Sequence, residues 1–131
     1  MRVLLASFMF SALFVLPFST AQADPIGDDT KCSVVREIMD PASPDMRKVG
    51  ELRDYISRIM QIIDKSYAAR GKREIFLQLT DQDRYRDVAI ASTRCREHSD
   101  MTVQQVAIET YEDLRATRDG VLDTFGLSNQ K

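Results

Sequence analysis

SPDMRKVGELRDYISRIMQIIDKSYAARG, residues 43–71, is the stretch on which the fold turns. Ser43 suits an N-cap and Pro44 the first helical position, where a missing N–H costs nothing. Val49, Leu52, Ile56, Ile59 and Ile63 follow at spacings of 3, 4, 3 and 4, the period of one helix face, with Met60, Ile62 and Tyr67 widening the stripe. Gly71 suits the position just past the helix end. Unbroken from 44 to 70, such a helix would be about 40 Å long, more than a small domain covers alone. A bend near Gly50, or a partner over part of the apolar face, is therefore expected. Core packing accounts for most of the stripe, and Val49, Leu52, Ile56, Ile59, Met60 and Ile63 are the candidate face for dimerisation or for binding exposed hydrophobic segments.

Toward the N-terminus, a shorter helix is expected from about Thr30 through Cys32, Val35 and Ile38 to Met39. Asp40-Pro41 ends it, because a residue before proline is pushed out of the α region. Residues 24–29, Asp-Pro-Ile-Gly-Asp-Asp, are polar and turn-prone and read as a flexible start of the mature chain. Before them, Met1-Arg2, an apolar run from Val3 to Phe18 and Ala21-Gln22-Ala23 make the three-part pattern of a signal peptide over residues 1–23, cleaved after Ala23. The run is shorter than the roughly 20 apolar residues a spanning helix needs, so no membrane attachment is expected after cleavage, and the location is periplasmic or secreted.

Toward the C-terminus, residues 72–79 fit a short helix or an extended connection equally well. Thr80 then offers an N-cap, with Asp81 and Asp83 in a first turn where the helix dipole favours them. Tyr85, Val88, Ser92 and Cys95 fall on one face of this third helix. After the link from Arg96 to Asp100, Thr102 and Gln105 make a capping box, and Met101 is placed to staple onto Val106. Val103, Val106, Ala107, Thr110, Tyr111 and Leu114 form the inner stripe of a last helix that Gly120 is expected to end, with one more turn possible over 121–127. The reading is an all-α fold, one helical domain of four principal helices over residues 30–127, followed by a polar tail at 128–131.

Two cysteines in an exported chain make a disulfide the default, and only Cys32–Cys95 is available within one chain. It closes a loop of 60-odd residues, worth about 4 kcal/mol in the chain-entropy model. With Cys95 on the buried face of the third helix, the bridge joins the first helix to the third around the long second one.

Charge and motifs narrow the function. Without Arg2, 17 basic residues face 20 acidic ones, a formal charge of −3. No basic stripe stands out, so nucleic acid is not the expected partner. His98 is the only histidine and sits in a charged loop, without a sequence neighbour that would orient it as an acid or base. There is no Gly-rich phosphate loop and no HExxH, CxxC or GxSxG spacing. The expectation is a protein that is not an enzyme, with no catalytic residues, no metal site and no cofactor, whose partners are proteins.

The export signal, the mature length near 100 residues, a cysteine opening the first helix at Thr30-Lys31-Cys32, a second at Cys95, and a final amphipathic helix from Met101-Thr102-Val103 together resemble the HdeA/HdeB-like family of small periplasmic acid-stress chaperones. The likeness spans most of residues 30–117. It implies a domain folded at neutral pH, possible as a homodimer hiding the face on helix two, that loosens in acid and holds unfolding clients on exposed apolar stripes. The disulfide would keep the loosened chain compact. In strong acid the mature chain would carry roughly +19, from its Lys and Arg residues, His98 and the amino terminus. The rival expectation is a periplasmic binding or immunity-type protein that caps one specific protein partner.

Overall fold

Helix starts in this chain are set by whichever group reaches the free N–H groups first, and that shifts two of the expected boundaries. The computed structural model describes residues 24–126; the expected signal peptide at 1–23 and polar tail at 128–131 lie outside the described residues, as does Leu127. Among the described residues there are four helices: α1 (Cys32–Ile38), α2 (Met46–Ala69), α3 (Asp81–Glu97) and α4 (Val103–Thr124). The fold is a small all-α domain.

α1 begins at Cys32, two residues after Thr30, and its Lys31 N-cap makes no side-chain capping bond. The backbone supplies the partner instead. Cys32 N–H donates to the Met101 carbonyl and Val103 N–H to the Thr30 carbonyl, each at 2.9 Å. This isolated antiparallel bridge, Lys31 to Thr102, ties the start of α1 to the start of α4.

α2 starts at Met46 with Asp45 as N-cap, its carboxylate accepting from Lys48 N–H at 3.1 Å, so Ser43 and Pro44 do not start the helix. They are held in a turn: Ser43 N–H donates to the Asp40 carbonyl, Ala42 N–H to Asp40 Oδ1, and Asp45 N–H to the Ile38 carbonyl. An aspartate at the mouth of the helix outcompetes a serine two residues upstream. Beyond it α2 runs 24 residues without interruption, through Gly50, to the Gly71 turn at φ +73°. The helix is not interrupted at Gly50, and α1, α3 and α4 all pack on α2 while a folded-back connector closes its C-terminal end.

That connector, residues 70–80, is neither helix nor strand, and it buries Ile75 and Phe76. α3 then starts where expected, Thr80 Oγ1 accepting from Asp83 N–H. α4 carries the complete capping box between Thr102 and Gln105. It continues through Gly120 to Thr124 and stops before Gly126, at φ +69°. Nothing lies within reach of a Cβ at Gly120, so its place in the helix costs only backbone entropy.

The core takes Cys32 and Val35 from α1, Leu52, Tyr55, Ile56 and Met60 from α2, Val88, Ala91 and Cys95 from α3, and Val103, Val106, Ala107 and Tyr111 from α4, with Ile75 and Phe76 from the connector. The Cys32–Cys95 bridge lies within it, Cα–Cα 5.0 Å, both residues fully buried, joining α1 to α3. Of the expected α3 stripe, Val88, Ser92 and Cys95 point inward, while Tyr85 stays 54% exposed under the Arg53 guanidinium.

The N-terminal residues 24–29 depart from the flexible segment expected. Ile26 packs on the core, Tyr55 OH donates to Asp28 at 2.6 Å, and Lys48 Nζ donates to the Asp24 carbonyl at 2.7 Å. Its single apolar residue and two long-range hydrogen bonds thus tie the segment to the domain.

Candidate functional site

The stripe on α2 is the first candidate, and the structure places it inward. Val49, Leu52, Ile56 and Met60 are buried, and Ile59 and Ile63 are half-buried against the same core. In the folded domain α1, α3 and α4 lie over most of this face. Two apolar residues of α2 do reach solvent, Met46 at 66% and Ile62 at 57% exposure. They lie sixteen residues apart, about 160° around the helix at 100° per residue, and form no common patch.

His98 is an exposed residue at the C-cap of α3. Among the described residues no group of three or more His, Cys, Asp or Glu side chains is placed to hold a metal ion. Among them, too, no helix is long and apolar enough to cross a membrane.

The most concentrated chemistry lies around a residue that the sequence reading passed over, Asp64. Its side chain is completely buried. Oδ1 accepts from Ile75 N–H at 2.8 Å and from Tyr111 OH at 2.6 Å; Oδ2 accepts from Phe76 N–H at 3.0 Å and Leu77 N–H at 2.8 Å. One carboxylate thus satisfies three consecutive backbone donors of the connector and one phenol of α4.

Arg115 completes the cluster. Its NH1 donates to the Tyr111 oxygen at 2.9 Å and stands 4.0 Å from Asp64 Oδ1, while NH2 donates to the Arg73 carbonyl at 2.8 Å. The guanidinium lies 3.9 Å from the centroid of the Tyr67 ring, which stacks on Tyr111 and donates through its hydroxyl to Glu112. Burial alone would push the Asp64 carboxyl up, but the four hydrogen bonds outweigh it and hold the group below the usual carboxylate range. Burial and the bond to Asp64 push the Tyr111 phenol well above its ordinary value.

A second buried carboxylate, Asp87 on α3, takes both of its contacts from Arg118 NH2 on α4, each at 2.9 Å. Here burial dominates over the arginine and the carboxyl is pushed up. The two acids differ because Asp64 collects four donors and Asp87 a single guanidinium nitrogen.

A signal for Asp64 was present in the sequence. It continues the row Leu52, Ile56, Met60 at steps of four, so an aspartate falls where the stripe demands an apolar residue. A carboxylate at such a position must find donors, and the donors belong to a connector whose conformation local pattern could not decide.

No family model, no curated protein and no solved structure matches the chain.

Proposed function

We propose that this chain is an exported, acid-activated chaperone that binds unfolding protein clients through apolar helix faces. The observation that carries the reading is the placement of the α2 stripe: Leu52, Ile56 and Met60 are sealed in the folded core, around which one covalent bond joins α1 to α3. A surface sealed at neutral pH becomes a binding face only when the domain loosens. A 63-residue separation between the bridged cysteines limits how far it unravels.

The charge supports the same reading. Acid converts a near-neutral chain into one of roughly +19, which strains the compact state and keeps a client complex in solution. The resemblance in cysteine placement, export signal and final helix to the acid-stress chaperone family points the same way.

The experiment is a titration of the purified protein from pH 7 to 2 in the presence of an acid-labile client, followed by light scattering. Suppression of aggregation is expected only in acid. No suppression at any acidic pH ends the proposal, and recovery of one stoichiometric partner at neutral pH from the periplasm would put a capping protein in its place.

A further inference from the structure

The ends of the helix bundle are closed in different ways. Near the start of α4, closure is covalent and through backbone: Cys32–Cys95, with the paired segments at Lys31 and Thr102. Toward the end of α2, closure depends on side chains that titrate or carry charge, with Asp64 at the centre. We infer that Asp64 is the residue through which acid opens this domain, and that opening begins at the connector, residues 70–80, uncovering Ile75 and Phe76 while the Cys32–Cys95 end stays closed. This rests on the acid-dependent client binding proposed above, for which it names the sensor and the first surface exposed.

The geometry leaves protonated Asp64 no good arrangement. Every group that reaches it directly is a donor: the N–H groups of Ile75, Phe76 and Leu77 and the hydroxyl of Tyr111. A neutral carboxyl brings a fifth hydrogen into a site that contains only hydrogens. Tyr111 could turn to accept it, but its own proton would then lose its acceptor, and its oxygen already accepts from Arg115. An unpaired donor in a dry site costs far more than the bond it replaces.

Besides the burial of Ile75 and Phe76 themselves, the connector has few polar ties at its centre. Its other backbone bonds are local: Gly71 N–H to Ala68, Lys72 N–H to Tyr67, and Leu79 N–H to Phe76. The long-range tie outside Asp64 is Arg115 to the Arg73 carbonyl. Three consecutive N–H groups left unpaired in a buried site oppose the apolar burial of Ile75 and Phe76, both nearly inaccessible in the closed form, and make this loop the place where opening starts.

The charged groups around the site set the sign. From α4, Tyr111 and Arg115 face Asp64, with Asp119 3.8 Å behind the guanidinium. From α2, Tyr67 lies against Arg115 and reaches Glu112. From α3, Asp87 bonds Arg118 on α4. Asp64 is held below the carboxylate range, so its contribution is complete above pH 4 or so and is lost as pH falls through its folded-state value. Asp87 is shifted the other way, so the folded domain takes up its proton before the open chain does, and acid working through Asp87 favours closure.

The test is amide hydrogen exchange on the full chain with its bridge oxidised, stepped from pH 7 to 2 and corrected for intrinsic rates. Protection of the Ile75, Phe76 and Leu77 amides is expected to fall from near pH 4 by up to about tenfold per pH unit, ahead of the amides of Val35, Cys95 and Val106. Asp64→Asn, neutral at every pH, is expected to show low protection at the same three amides already at pH 7. The inference is overturned if these amides stay protected until the whole domain exchanges together, or if Asp64→Asn keeps both the protection and the acid dependence of the parent. Should that variant not fold, the parent's profile decides alone. Client scattering on the same samples separates the two proposals: opening without suppression removes the chaperone and leaves the latch, whereas suppression with residues 75–77 still protected does the reverse.

Discussion

Asp64 satisfies four hydrogen-bond donors from a fully buried position. Asp64→Ala removes the acceptor for three backbone N–H groups and a phenol in a site without solvent access. A loss of at least about 3 kcal/mol is expected, read as a lower urea midpoint at pH 7. The converse case is Thr110, fully buried on α4, whose hydroxyl has no partner among the described residues. Thr110→Val removes an unpaired polar atom while keeping a β-branched shape, and is expected to stabilise by about 1 kcal/mol, raising Tm by about 4 °C. Neither role follows from residue type. The misplaced aspartate in the α2 stripe was visible in the sequence, but which donors it would find depended on a connector folding back over eleven to thirteen residues.

Among the elements, capping chemistry was the most readable feature where the cap and its target are three residues apart. Thr102 and Gln105 pair as expected, and Thr102→Ala should cost about 1 kcal/mol in thermal or chemical unfolding. The Ser43-Pro44 start failed because Asp45 lies nearer the first free N–H groups and the preceding turn employs Ser43 otherwise. The length of α2 has a tertiary answer: neighbouring helices and the connector cover it along an unbroken run through Gly50, and the glycine answers no packing need. A methyl group there meets nothing within 4 Å. Gly50→Ala is accordingly expected to raise stability by roughly 0.5–1 kcal/mol, with the circular dichroism of the folded state unchanged. The connector itself was undecidable from pattern, since eight residues with four apolar ones, 72–79, suit a helix turn or an extended path equally.

For the whole molecule, the four-helix plan and the bridge between the first and third helices were legible because both arise from periodicity and cysteine register. The distribution of closure was not, because it depends on which side chains meet after folding. One end is held by a bond indifferent to pH and the other by a buried carboxylate, so under the proposed function the domain opens in acid without unravelling. Reducing Cys32–Cys95 should remove about 4 kcal/mol and leave acid to unfold the chain completely. Small-angle scattering of the oxidised protein at pH 2 measures that opening. For a folded domain of about 100 residues the radius of gyration is about 13 Å; an increase of roughly 10–20% with loss of near-ultraviolet dichroism is expected, and a much larger expansion once the bridge is reduced. A radius and near-ultraviolet signal unchanged from pH 7, or an oxidised chain as expanded at pH 2 as the reduced one, would contradict it.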